Sequence, residues 1–168
     1  MKKNRIRKFL LLASFFTLLF TVHSSFSQKH KTKIVTVKLD VRKMLENKSF
    51  VFVPQSLSPT SGRSRQITSY YEVIVSKDSI ICDLPYFGRA LEPPIDPSDI
   101  GFTFTSTKFD YELKDAKKNS FDVKIKINDK LDARQLIFSV FDNGSTTLSI
   151  NSNAKQPITY EGYIKERK

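Results

Sequence analysis

Ser120-Phe121-Asp122-Val123-Lys124-Ile125-Lys126-Ile127-Asn128, "SFDVKIKIN", settles the fold class, because its apolar and charged residues alternate without a break. A two-residue period over eight positions is the mark of a strand with one face buried and one in water. Phe121, Val123, Ile125 and Ile127 are therefore expected to face a core, and Asp122, Lys124 and Lys126 to face solvent. Downstream, "RQLIFSVFD" (134–142) is apolar on both sides and reads as a strand inside a sheet rather than at its edge. Asn143-Gly144 then predicts a two-residue hairpin turn of type I′, which needs positive φ at both central positions. "STTLSIN" (145–151) returns as a strand, "SNAKQP" (152–157) is a loop, and "ITYEGYIKE" (158–166) closes the pattern with Ile158, Tyr160 and Ile164 in phase.

The same alternation runs upstream. "KFDYELK" groups Phe109, Tyr111 and Leu113, and "GFTFTS" groups Phe102 and Phe104, but the apolar phase slips between them. A bulge or bend is expected between Thr105 and Lys108. Gln66–Ser76 reads as a strand with Ile67, Tyr71, Val73 and Val75 on one side. Lys77-Asp78 reads as a tight turn, and Ser79–Leu84 as the returning partner. "LSPTSGRSR" (57–65) is a loop, and "SFVFVPQS" (49–56) is a strand that Pro54 should end. Before it, Asp40 can cap a short helix through Lys48 with Val41, Met44 and Leu45 on one side. Ile34–Leu39 could be a strand leading in or a backward extension of that helix. Together these elements predict a mainly β protein: an antiparallel barrel or two-sheet sandwich of about eight strands with one short N-terminal helix. Residues 34–168 form a single domain in this reading, preceded by a flexible basic arm, 28–33.

The first 27 residues have a different character. Lys2, Lys3, Arg5, Arg7 and Lys8 precede an apolar run from Phe9 to Val22, and Ser25 and Ser27 supply small residues at the third and first positions before a cut after Ser27. That is the layout of a secretory signal peptide. The apolar run is about 14 residues, short of the roughly 20 that span a bilayer. No cysteine stands at the cleavage position, so a lipoprotein is not expected. The predicted location is periplasmic or secreted, with no membrane span after cleavage. The full chain of 168 residues has a formal charge of +11. Residues 1–27 hold five basic and no acidic residues, so the remainder carries 23 basic against 17 acidic and a charge of +6. Much of that excess lies between Lys29 and Lys48, where seven Lys or Arg face only Asp40 and Glu46, and elsewhere the charges are mixed. The dispersed lysines point away from nucleic acid, while leaving room for an acidic polymer or an anionic membrane surface.

Several chemistries lack their residues. Past position 27 the only histidine is His30, in the basic arm, so a Ser-His-Asp or Cys-His site has no well-placed imidazole. One cysteine, Cys82, permits no internal disulfide and no Cys/His zinc site. It lies between Ile80 and Leu84 on a strand face, where a cysteine acts as a small core hydrophobe. No glycine-rich loop opens a helix. Glu92, Asp96 and Asp99 share a loop that a hard cation could use, although such loops are more commonly just solvated. No cofactor, metal or catalytic residue is expected, and a carboxylate-pair hydrolase is the alternative reading.

"SIICDLPYFGRA" (79–90) holds the candidate site. Pro85 should end regular pairing and Gly88 lets the chain turn, which leaves Tyr86, Phe87 and Arg89 at a strand end. One reading has a ring plugging the core, with Arg89 paired to Asp83 or Asp96. The other has Tyr86 and Arg89 flanking a cleft for an anionic group, joined by Arg63 and Arg65. "KSFVFVPQS", "LPYFGRA" and "NSNAKQPITYEGYIK" resemble the exported bacterial family called domain of unknown function 4251 over Asp40 to Lys165, with Leu84–Ala90 the most specific part. The resemblance implies a signal-bearing protein of Gram-negative bacteria and carries no activity. Many members have a glycine-rich loop after the YFGRA-like run, where this chain has Pro93, Pro94 and Pro97. The expected function is a non-enzymatic binding or accessory protein of the cell envelope that holds a small ligand or an envelope protein. A structural or adhesive surface role is a further alternative.

Overall fold

The computed structural model describes residues 40–91, 101–117, 119–130 and 133–167. The expected signal segment, basic arm and Ile34–Leu39 element, His30 and the Glu92–Asp99 loop lie outside them. All described residues fall in one compact unit, Val37–Lys168.

The strand quoted first is β7 (Ser120–Ile127), and its burial alternates as its sequence does: Phe121, Val123, Ile125 and Ile127 are buried, and Asp122, Lys124 and Lys126 exposed. Ile125→Ala should therefore cost about 2–5 kcal/mol, and Lys124→Ala no more than about half a kcal/mol. Similar losses for the two in urea melts would mean the inward face is misassigned.

The other described elements are α1 (Val41–Glu46), β1 (Phe50–Pro59), β2 (Arg65–Gln66), β3 (Glu72–Val75), β4 (Ile80–Pro85), β5 (Gly101–Ser106), β6 (Phe109–Ala116), β8 (Gln135–Phe141), β9 (Ser145–Asn151) and β10 (Ile158–Glu166). They form one antiparallel sheet in the order β5-β4-β3-β1-β10-β9-β8-β7-β6, with β2 paired to β1 off that path. Consecutive strands β5 and β6 thus occupy opposite edges with only Thr107 and Lys108 between them. A sheet whose two edges are joined by two residues has to curl, so of the two layouts left open by the sequence it is the single curled half-barrel that forms. Packing across the concave face agrees. Phe138 of β8 meets Phe50 and Phe52 of β1 edge-on at centroid distances of 5.7 and 5.8 Å, although β9 and β10 separate these strands in the sheet.

The phase slip between Phe104 and Phe109 is this corner. Asp129, from the β7–β8 connection, holds it: its carboxylate accepts from Ser106 Oγ, from Thr107 N at 3.0 Å and from Lys108 N at 3.3 Å. These donors, Ser106 first, hold the Asp129 carboxyl below its ordinary value. A carboxyl depressed in the folded state stabilises fully above its unfolded value and loses that contribution as pH falls through the folded one. Below the ordinary aspartate value of 3.8, the parent protein should lose melting temperature more steeply than Asp129→Asn. Parallel acid profiles for the two would remove Asp129 from the corner.

Three sequence expectations are corrected. Pro54 does not end β1. The register with β10 shifts between Pro54 and Ser56, and the bulge accommodates a residue that cannot donate to the ladder. Gln66–Ser76 is not one strand: β1 pairs with β3 before the bulge and with β2 after it, and 67–71 lies between. Ile67 and Tyr71 nonetheless pack on the core as the phase implies. Asn143-Gly144 is not a type I′ turn, because Gly144 has positive φ (87°) and Asn143 does not. Gly144 N donates to Phe141 O at 2.9 Å, so the turn is a three-residue connection with its glycine last. The Lys77-Asp78 turn forms as read, with Ser76 N bonded to Ser79 O at 2.8 Å.

Helix α1 is short and doubly capped. Asp40 Oδ1 accepts from Lys43 N, while Lys48 takes positive φ (52°) as Lys48 N and Ser49 N return to Leu45 O and Met44 O. Val41, Met44 and Leu45 are buried, and Tyr111 of β6 donates to Leu45 O at 2.8 Å.

Candidate functional site

β4 ends at Pro85, paired with Gly101, and the chain beyond it crosses to the β9–β10 loop. That crossing is built from main-chain bonds. Leu91 N donates to Ala154 O at 2.7 Å, Gln156 N donates to Arg89 O at 3.1 Å, and Ala90 and Lys155 form an isolated antiparallel bridge. Tyr86 strengthens it from inside. It is only 9% exposed, meets Phe102 edge-on at 5.4 Å, and its hydroxyl lies within hydrogen-bond reach of Arg89 O (2.8 Å) and Gln156 O (3.1 Å). Burial pushes its phenol above the ordinary range. From the far side of the concave face, Tyr160 donates to Pro85 O at 2.7 Å. The segment 85–91 is thus a strap tied across one end of the core, with Tyr86 pointing inward.

Lys155 sits beneath the strap. It is 7% exposed, its ammonium donates to Gly101 O, and it stands 5.0 Å from the Phe102 ring centroid and 5.9 Å from that of Tyr86. Nothing in the local pattern signals this burial, since "SNAKQP" reads simply as a loop.

Outside, the strap is exposed. Phe87 is 52% and Leu91 58% exposed, and Arg89 is also exposed. The Arg65 guanidinium lies over the Phe87 ring, 4.8 Å from its centroid. Of the five candidate residues, the structure therefore stacks Arg65 on Phe87, turns Tyr86 into the core and leaves Arg63 and Arg89 in solvent. Asp83, one of the two expected partners of Arg89, accepts instead from Thr103 Oγ1 at 3.3 Å. The β1–β2 loop is tied to the same region, as Thr60 Oγ1 donates to Pro157 O at 2.6 Å. Arg134, which no sequence signal singled out, joins it through Asn153 Oδ1 at 3.4 Å. Three segments make this rim: 58–66, 85–91 and 152–157. Their described residues include Arg63, Arg65, Arg89 and Lys155 and no Asp or Glu, although Glu92 follows directly on Leu91. That arrangement is suited to holding an anionic group beside an aromatic face.

Cys82 is buried, and burial together with the charge of Asp83 pushes its thiol far above the ordinary range. A thiol so held does not act as a nucleophile. Among the described residues no group of three or more His, Cys, Asp or Glu could hold a metal ion, and no helix is long and apolar enough to cross a membrane. Among the described residues the Glu112 carboxyl is held below its ordinary value by its Lys114 contact, as Asp129 is by the corner donors.

A family model described as "Domain of unknown function (DUF4251)" matches residues 24–164. A crystal structure of a DUF4251 family protein from Bacteroides eggerthii DSM 20697 is similar in fold, with a TM-score of 0.57 and 18% identity, over 76% of this chain and 85% of that one. No curated protein matches.

Proposed function

The chain belongs to the family called domain of unknown function 4251, and on that premise we propose that it is a non-enzymatic binding or accessory protein of the bacterial cell envelope. It is exported by its N-terminal segment to the periplasm or cell exterior, without lipid attachment, and uses the strap and its neighbouring loops to hold an anionic ligand or envelope partner. The observation that carries this reading is the Arg65 guanidinium stacked on the exposed Phe87 ring, with the exposed Arg63 and Arg89 on the same rim. The concave face of the sheet is filled by Phe50, Phe52, Phe138 and Tyr160, which favours binding at the rim over binding inside the half-barrel.

Native mass spectrometry of the protein purified from its own host tests the reading. A retained partner or ligand is expected, and Arg65→Ala with Arg89→Ala should reduce it at least tenfold. Both arginines are exposed, so stability should change by no more than about half a kcal/mol for each. A bound species indifferent to both substitutions would overturn the assignment.

A further inference from the structure

The rim combines four exposed arginines with two exposed apolar side chains. Arg63, Arg65 and Arg89 come from the strap and the β1–β2 loop, and Arg134 reaches the β9–β10 loop through Asn153. Phe87 and Leu91 stand at 52% and 58% exposure on the strap itself. Monomeric proteins tolerate single exposed apolar residues, but here both fall within five positions of a segment otherwise held down by main-chain bonds. The tying is what keeps them out. Tyr86 occupies the inward direction, and bonds from Leu91 N and to Arg89 O fix the backbone, so neither Phe87 nor Leu91 turns in to bury itself without breaking the strap.

The chemistry of the charges narrows the partner. All four exposed cations are arginines, whose planar, weakly hydrated guanidinium groups grip phosphate oxygens with two N–H bonds at once. Arg65, lying over Phe87, keeps the N–H groups at its edge available while the ring face screens one side. A protein partner would be expected to fill a pocket at the centre of its contact. A groove of about 230 Å³ lies elsewhere, beside α1, lined by residues including Met44, Asn47 and Arg167. Separate apolar tips among arginines suit a soft interface instead. There the rings and methyls enter the headgroup–acyl boundary and the guanidiniums meet phosphates.

On the proposed binding role of this rim, we infer that its partner is an anionic, phosphate-bearing lipid surface, touched by Phe87 and Leu91 and held by Arg63, Arg65, Arg89 and Arg134. The inference concerns contact at the surface and involves no membrane span.

Leu91→Cys in the exported form, residues 28–168, carrying an environment-sensitive dye, reads that contact locally. The buried Cys82 leaves the new thiol as the one that labels. With phosphatidylglycerol–phosphatidylcholine vesicles the dye should shift blue and brighten, and with phosphatidylcholine alone it should not. The same dye at Lys124→Cys, on the solvent face of β7, should stay silent with both. Each arginine near an anionic surface strengthens binding roughly fivefold. Adding Arg65→Ala and Arg89→Ala should therefore raise the lipid needed for half the signal roughly 25-fold. A dye that remains in water while vesicles bind, or one that answers equally to neutral vesicles, overturns the inference. So does a response to polyglutamate without one to vesicles, which would assign the rim to an acidic protein. In those cases the rim still binds if host-purified protein keeps a partner dependent on Arg65 and Arg89. Loss of that dependence overturns the binding role itself.

Discussion

Phe138→Ala should cost about 3–5 kcal/mol, the largest loss expected from any single truncation in this core. Phe138 is fully buried, and its ring meets Phe50 at 90° and Phe52 at 77° across the concave face. Removing it abandons its own transfer energy and two edge-to-face contacts, each worth about 0.5–1.5 kcal/mol beyond area. It also leaves a void between strands that no ladder hydrogen bond holds together. A urea melt of Phe138→Ala beside Phe141→Ala isolates the effect, because Phe141, on the same strand, is 45% exposed. A difference under about 1 kcal/mol between them would mean the two halves of the sheet do not depend on this contact.

Gly162→Ala should be at least as damaging, for a different reason. A Cβ at position 162 would stand 2.1 Å from Val53 O and 2.9 Å from Pro54 Cα. Both are backbone atoms at the β1 bulge, so no side chain can swing aside. Ordinary overpacking costs about 1–3 kcal/mol, and here the relief must come from shifting β1 against β10, so the loss should exceed that range. The backbone of Gly162 is not in the left-handed region, and space rather than conformation excludes the methyl. Glu161→Ala, exposed and one residue away, should change stability by no more than about half a kcal/mol. Equal melts for Gly162→Ala and the parent would disprove the close approach of the two strands.

The bulge that makes Gly162 necessary is also where the sequence misleads most. Alternation made "SFDVKIKIN" plain because each residue's face depends only on its neighbours in the chain. Pro54 reads as a stop because proline lacks an N–H, a local fact. That the ladder continues past it depends on a glycine more than a hundred residues away, which no local pattern reveals. The 66–76 strand was over-extended for the same reason: its phase holds, but its partner bulges. Lys48 shows a smaller version, as the helix ends in a left-handed residue where a glycine would have announced the stop.

At the rim, the strand end at Pro85 and the turn at Gly88 were legible, and so was the list of cations. Their arrangement was not. The sequence leaves two arrangements open, a ring plugging the core or Tyr86 and Arg89 together at a cleft, and the strap sends Tyr86 inward and Arg89 out. The pairing of Arg65 with Phe87 joins residues from separate loops, and Lys155 is buried by rings of β5 and the strap that lie far from it in the chain.

β1 and β10 run side by side from Phe50 opposite Glu166 to Pro59 opposite Ile158. The earliest strand of the sheet is therefore paired along its whole length with the latest. A chain emerging from the ribosome, or threaded through a pore from its N-terminus, cannot seat β1 against β10 until Ile158–Glu166 is free. Until then it carries an open, phenylalanine-rich edge, the kind of surface chaperones shield. Such dependence on distant segments predicts slow, late folding in a single step. It also means that a ribosome halted before Ile158 would release no partly working product, only a substrate for proteolysis.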